Sequence, residues 1–274
     1  MLVSMKQMLD RANEGNYAVL APEVFTELDA RACIEAAEEM KAPLILGVPY
    51  PAVNDLVMFG KILGMLAQQS GVPVAVNLDH GADLIQIAEA IRGGFSSVMI
   101  DCSMMAYDEN VARVKEVVDL VKPLGLSVEA EIGHVGTGED HDISGGLTDP
   151  EEAAGFIRQT GIDACAVSIG TIHGAYKGEP RIDFERLERI KALTHFPLVL
   201  HGSSGTGEEK IRQACRSGIN KINICNDLLK TVYTEIRNTE LVGNQLYDLW
   251  PMIADTLREF VKAQIDITGS AGKA

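Results

Sequence analysis

Val72-Pro-Val-Ala-Val-Asn-Leu-Asp-His-Gly81 reads as a buried strand, Val72 to Leu78, that stops in an acid, an imidazole and a glycine. Two later stretches follow the same plan. Ala164-Cys-Ala-Val-Ser-Ile169 runs into Gly-Thr-Ile-His173-Gly174, and Pro197-Leu-Val-Leu200 runs into His201-Gly202-Ser-Ser-Gly205. His80, His173 and His201 therefore each sit just past a strand and just before a glycine. Three imidazoles delivered to one end of a sheet have the donor chemistry of a metal site.

Outward from these stretches, strand and helix signals alternate. Tyr17 to Ala21, Pro43 to Val48, Ser97 to Ile100, Ser127 to Ile132 and Lys221 to Ile224 are the remaining short apolar runs. Segments with helical spacing separate them: Glu27 to Met40, Asp55 to Gln69, Asp83 to Arg92, Asn110 to Val121, Asp183 to Leu193 and Glu208 to Ser217. Thr148-Asp-Pro-Glu-Glu starts another, with threonine as N-cap and acids in the first turn. Leu228 to Arg237 and Ile253 to Ile265 form extra C-terminal helices. Eight strands alternating with helices predict a TIM (β/α)8 barrel, a single α/β domain spanning residues 1–274. A doubly wound open sheet would need a glycine-rich turn after its first strand, and Ala21-Pro22-Glu23 is not one. The glycine-rich stretch from Gly133 to Leu147, with three acids and two histidines, has no apolar periodicity. A loop of that length suits a lid or binding loop.

Composition narrows the function. With 46% hydrophobic residues, the 274-residue chain has ample material for a buried core. No apolar run approaches the roughly 18 residues of a membrane span. The first ten residues lack a signal-peptide core, so a cytoplasmic location is expected. Cys33, Cys102, Cys165, Cys215 and Cys225 form no CxxC pair and read as reduced thiols. A net charge of -15 without a basic stripe argues against nucleic acid. It leaves room for a small anion, because backbone amides bind phosphate.

A lone histidine is more often structural than a ligand, but three sharing one context form a set. Three protein ligands with an open fourth position describe catalytic zinc, one ion per subunit, where a carbonyl would be polarised. His134, His141 and His195 lack the context and read as surface residues. Asp101 and Glu131, at the ends of strands four and five, are candidates to orient the imidazoles or serve as alternate metal ligands. In Val128-Glu-Ala-Glu131, period two sets Glu129 on the same face but deeper, as a buried structural carboxylate would lie. Asp79 is the candidate acid/base group, although an unbroken pleat would turn it away from His80. Glu139, in the long loop, is a second candidate that would arrive on loop closure.

Gly202-Ser-Ser-Gly205 follows strand seven, and Asn223-Ile-Cys-Asn-Asp227 ends strand eight; each precedes a helix. Barrels frequently bind phosphate between these loops. Gly174, Gly202, Ser203, Ser204, Asn223, Ile224, Cys225 and Asn226 are the candidate substrate-binding residues.

Taken together, Leu78-Asp-His-Gly81, Ser97-Val-Met-Ile-Asp-Cys-Ser103, Val128-Glu-Ala-Glu-Ile-Gly133, Gly170-Thr-Ile-His-Gly-Ala-Tyr176, Leu200-His-Gly-Ser-Ser-Gly205 and Lys221-Ile-Asn223 resemble the class II, zinc-dependent fructose-/tagatose-bisphosphate aldolases. The resemblance covers nearly the whole chain. It implies a lyase of carbohydrate metabolism that reversibly cleaves a ketose 1-phosphate or 1,6-bisphosphate into dihydroxyacetone phosphate and an aldehyde. It further implies zinc on His80, His173 and His201, a proton taken from the C4 hydroxyl by Asp79, and a carbon-bound proton handled by Glu139. A monovalent cation (Na+ or K+) and a homodimer or homotetramer are implied as well. A zinc-dependent hydrolase of a phosphorylated small molecule on the same barrel is the alternative.

The departures fall on one side. The family's first strand usually runs into Ala-Phe-Asn, where this chain has Ala21-Pro22-Glu23. Cys225 and Asn226 replace the usual end of strand eight. A late Asp-Pro-Arg is missing, and Tyr247-Asp-Leu-Trp-Pro251 takes its place. A carboxylate about 4 Å from a phosphate costs on the order of several kcal/mol at intermediate dielectric. The dihydroxyacetone phosphate half is thus expected to be kept and the aldehyde half rebuilt.

Overall fold

The computed structural model describes residues 1–50, 53–137 and 146–274. In chain order the elements are α1 (Met5–Gly15), β1 (Val19–Pro22), α2 (Glu27–Met40), β2 (Leu44–Pro49), α3 (Leu56–Gln69), β3 (Val74–Gly81), α4 (Leu84–Gly93), β4 (Ser97–Ile100) and α5 (Tyr107–Val121). They continue with β5 (Ser127–Ile132), α6 (Pro150–Thr160), β6 (Ala164–Val167), α7 (Phe184–Thr194), β7 (Leu198–Leu200), α8 (Glu208–Arg216), β8 (Ile219–Ile224), α9 (Asn226–Asn238) and α10 (Leu249–Thr268). The strands form a closed barrel in sequence order, each parallel to its neighbours, with β1 sealed against β8 through pairs such as Val19 with Lys221 and Ala21 with Asn223. The expected TIM barrel is present.

Period two divides the core in two. One set of strand side chains points outward and joins the helices: Leu44, Leu46 and Val48 of β2 alternate with inward Ile45 and Gly47. The inward set, including Val19, Ala21, Ile45, Ala75, Met99, Ala164, Ala166 and Val199, fills the barrel. Its lower end is stoppered by Met5, Met8, Leu9 and Ala12 of α1, a helix the sequence reading did not place. Above that apolar plug the inward residues turn polar: Glu129, Glu131, Lys221 and Asn223.

Local signals set the boundaries. Thr26 and Asp29 make a reciprocal capping box at the start of α2. At α6 the N-cap is Asp149, accepting from the N–H groups of Glu151 and Glu152, rather than Thr148. The Thr148 hydroxyl instead donates to Ile132 O and accepts from Ser168 N–H, tying the loop to two strands. α10 starts earlier than its apolar spacing suggested and lies on α2, where Arg258 and Lys262 face Glu39. Phe156 of α6 is fully buried between the sheet and Tyr107 of α5. Phe156→Ala is expected to cost about 3–5 kcal/mol of stability, read from urea unfolding.

Candidate active site

The three imidazoles meet at the carboxyl rim of the barrel. Their ring centroids are 4.6 Å (His80–His201), 5.0 Å (His80–His173) and 5.8 Å (His173–His201) apart, and every pair is edge-to-face. One nitrogen from each lies within 4.8 Å of the others.

Backbone geometry explains the histidine–glycine pattern. β3 continues through Asp79 and His80, but its register against β4 slips between Leu78 and Gly81. His80 takes a left-handed φ of 48°, a strained conformation for a residue with a Cβ. This bulge breaks the pleat, so Asp79 and His80 share one side, with Asp79 Oδ2 3.7 Å from His80 Nε2. At Gly202 (φ 65°), a Cβ would come within 2.5 Å of Ile172 O, so only glycine lets the His201 loop pass that close to the His173 loop.

Each ring is held from behind. His80 Nδ1 lies 2.7 Å from Asp101, and His201 Nε2 lies 2.9 Å from Glu129. The His173 ring is hydrogen-bonded to the Val135 backbone. These partners accept an N–H and leave the other nitrogen as a lone pair. His80 Nε2 is buried without a hydrogen-bond partner among the described residues. Three neutral nitrogen donors around one point fit a zinc ion with an open coordination position.

Electrostatics favour a cation there. Burial opposes charge on His80, but Asp79, Asp101 and Glu131 outweigh it and push its pKa up to about 10. Burial, then the charge of His80, lowers the pKa of both His173 and His201. Burial would raise Asp79, yet His80, His201 and Lys221 hold its carboxyl below the usual range. Glu131 behaves oppositely: burial and Asp101 push it up to about 8. It accepts from Val135 N–H and lies beside the His80–Asp101 pair without hydrogen bonding to a ligand ring.

The carboxylate behind His201 is Glu129, with no exposed surface, and behind it stands Lys221, also fully buried, with Nζ 2.6 Å from Glu129 Oε2. From sequence, Glu129 faces the same way as Glu131, with burial as a structural carboxylate the other possibility, and Lys221 has no assigned partner. A lysine among inward positions of a barrel strand was itself the signal, because it requires a buried acid.

A single cavity is bordered by the three histidines and Asp79, and by Gly174, Gly202, Ser203, Ser204, Asn223, Ile224, Cys225 and Asn226. The site residues expected from sequence are therefore gathered, with Asp101 and Glu131 behind His80. Glu139 and His141 lie outside the described residues. His134 bonds Ser103, and His195 caps α7 away from the rim. The Ser203 hydroxyl donates to Asn223 O and Ser204 Oγ accepts from Asp227 N–H, locking the two candidate phosphate loops together. Pro49 and Glu23 complete the wall beside Asp79, and Asn223 Nδ2 donates to both carboxyls, 3.0 Å to Asp79 and 3.2 Å to Glu23.

Comparison with known proteins agrees with this geometry. Residues 3–273 match the family model described as fructose-bisphosphate aldolase class-II. The fructose-bisphosphate aldolase of Geobacillus stearothermophilus is 38% identical over 100% of this chain and 99% of its own, as is that of Staphylococcus aureus strain Mu50. The crystal structure of the YdjI aldolase from Escherichia coli K12 superposes with a TM-score of 0.91 at 32% identity, covering 100% of both chains.

Lys221→Met leaves the Glu129 charge buried and unpaired, and is expected to cost about 3–5 kcal/mol in urea unfolding, partly recovered by adding Glu129→Gln. Asp101→Asn should weaken zinc binding by about 10–100-fold in a chelator competition, since the His80 ring loses its carboxylate anchor.

Proposed function

The chain belongs to the class II fructose-bisphosphate aldolase family, and from that premise we propose a zinc-dependent lyase that reversibly cleaves a ketose 1-phosphate into dihydroxyacetone phosphate and an aldehyde. One observation carries the reading: three pinned imidazoles, a buried carboxylate 3.7 Å from one of them, and two loops suited to phosphate border the same cavity. Zinc held by His80, His173 and His201 supplies a Lewis acid for the substrate carbonyl. Asp79 acts as the base for the C4 hydroxyl proton in cleavage and returns it in condensation. The charges around it keep it ionised, and the Asn223 amide fixes one of its oxygens.

The Ser203 hydroxyl already donates to Asn223 O, whereas Ser204 Oγ accepts from Asp227 N–H and keeps its proton, so the phosphate is met by the Ser204 O–H and by backbone N–H groups of these loops and of the first turn of α9. Glu139, named from the family resemblance, is assigned the proton on the carbon next to the dihydroxyacetone phosphate carbonyl. The same resemblance assigns Na+ or K+ near the phosphate and a homodimer or homotetramer; a cytoplasmic location and a single domain over residues 1–274 rest on the sequence pattern. Association between copies would cover apolar side chains exposed on α9 and α10, among them Tyr233, Ile236 and Trp250.

Chelation is expected to abolish release of dihydroxyacetone phosphate from ketose 1-phosphates, and added zinc to restore it. Asp79→Asn should lower kcat by about 10²–10⁴-fold while bound zinc, counted by elemental analysis, stays at one per chain. Release of inorganic phosphate in place of dihydroxyacetone phosphate would replace this reading with the hydrolase.

A further inference from the structure

The wall of the cavity that continues from the β8 loop across β1 to β3 consists of Glu23, Pro49 and Asp79. β1 lies between β8 and β2, so Glu23 stands next to Asn223 on one side and Gly47 on the other. Its backbone is held on both flanks: its N–H donates to Ile224 O, and it bridges to Gly47. Its side chain is 4% exposed. Oε1 accepts from Asn223, while Oε2 is buried and meets no donor among the described residues. A buried carboxyl oxygen on a ligand cavity without a donor calls for one from the ligand.

The position is prepared for a carboxyl group. A Cβ at residue 47 would lie 2.5 Å from Glu23 Oε1, so glycine at 47 makes the space. Asn223 holds Glu23 and Asp79 side by side. Burial, and then Asp79, push the Glu23 pKa well above the ordinary carboxyl value.

What this wall lacks is positive charge. Among the described residues no lysine or arginine borders the cavity, and segments 51–52 and 138–145 contain none in sequence. The nearest ammonium, Lys221, is engaged by Glu129. With the phosphate at the β7 and β8 loops and Asp79 of β3 serving the C4 hydroxyl, the carbons beyond C4 would run along Asp79, Glu23 and Pro49. A second phosphate there would lie beside the ionised Asp79 and the buried Glu23 carboxyl, with no lysine or arginine among the described residues of this cavity to offset it.

We propose that Glu23 is the residue that selects the aldehyde half of the substrate, receiving a hydroxyl group of an unphosphorylated, hydroxylated aldehyde on its free oxygen and excluding a phosphorylated one. The proposal rests on the aldolase reading above and names the substrate class for it. Gly47 serves as the positioning residue that admits the carboxyl group.

The test uses the zinc-loaded full chain in the condensation direction, with dihydroxyacetone phosphate and either glyceraldehyde or glyceraldehyde 3-phosphate. The wild type is expected to favour unphosphorylated glyceraldehyde in kcat/KM, and Glu23→Gln to shrink that preference by about tenfold or more. Gly47→Ala, which displaces the same carboxyl without deleting it, should shrink it in the same direction. Because each ratio is taken within one protein, loss of overall activity does not mimic the effect. Exchange of the dihydroxyacetone phosphate C3 proton with deuterium, followed without any aldehyde, reads the aldolase chemistry separately. Exchange together with a wild-type preference for glyceraldehyde 3-phosphate, or with a ratio unmoved by Glu23→Gln, overturns the assignment of Glu23 and leaves the aldolase standing. Absence of exchange removes the aldolase reading and this proposal with it.

Discussion

A lysine ammonium with no exposed surface sits inside this barrel, and the site above it depends on that charge. Lys221 holds Glu129, Glu129 holds His201, and Lys221 also lowers the cost of keeping Asp79 ionised. Removing the ammonium from water is expensive, and one ion pair in a low dielectric repays it only when geometry is good and other groups share the charge. Here an imidazole and further acids share it. The apolar lower half of the barrel, plugged by α1, keeps water from competing from below.

The same economy appears at His80. A left-handed residue in a strand costs on the order of 1–3 kcal/mol and persists where the surroundings impose it. The β3–β4 slip imposes it, and the result places base and ligand on one side of the sheet. Asp101 then fixes the ring. Strain in one backbone unit thus substitutes for a longer loop that would have to be ordered.

Much of this was legible in the residues, for identifiable reasons. Apolar runs ending in an active side chain and a glycine mark barrel strands and their functional rim together, so the architecture and the three histidines emerged from one pattern. The place of Gly202-Ser-Ser-Gly205 and Asn223-Ile-Cys-Asn-Asp227 after strands seven and eight, each ahead of a helix, marked the phosphate loops. Other features were hidden because sequence gives periodicity and not depth. Period two placed Glu129 and Glu131 on one face, but the register with β6 and the reach of Lys221 decide which one supports a ligand. The direction of Asp79 could not be read, because a bulge leaves no signature in Leu78-Asp-His-Gly81. Met5, Met8, Leu9 and Ala12 do have helical spacing, but a stopper for a barrel end resembles any short amphipathic helix until the barrel exists.

Closure of the cylinder has a consequence for how the protein is made. Val19 of β1 finds its hydrogen-bonding partner only at Lys221, so one side of the first strand stays bare while most of the polypeptide is being synthesised. At ribosomal speeds of about 5–20 residues per second that interval lasts on the order of 10–40 s. An uncovered edge is a template for pairing with another nascent copy. α10, which lies over α2 beside the same seam, emerges later still. The seam between β1 and β8 is thus the part of the sheet that would need shelter until the ring can shut.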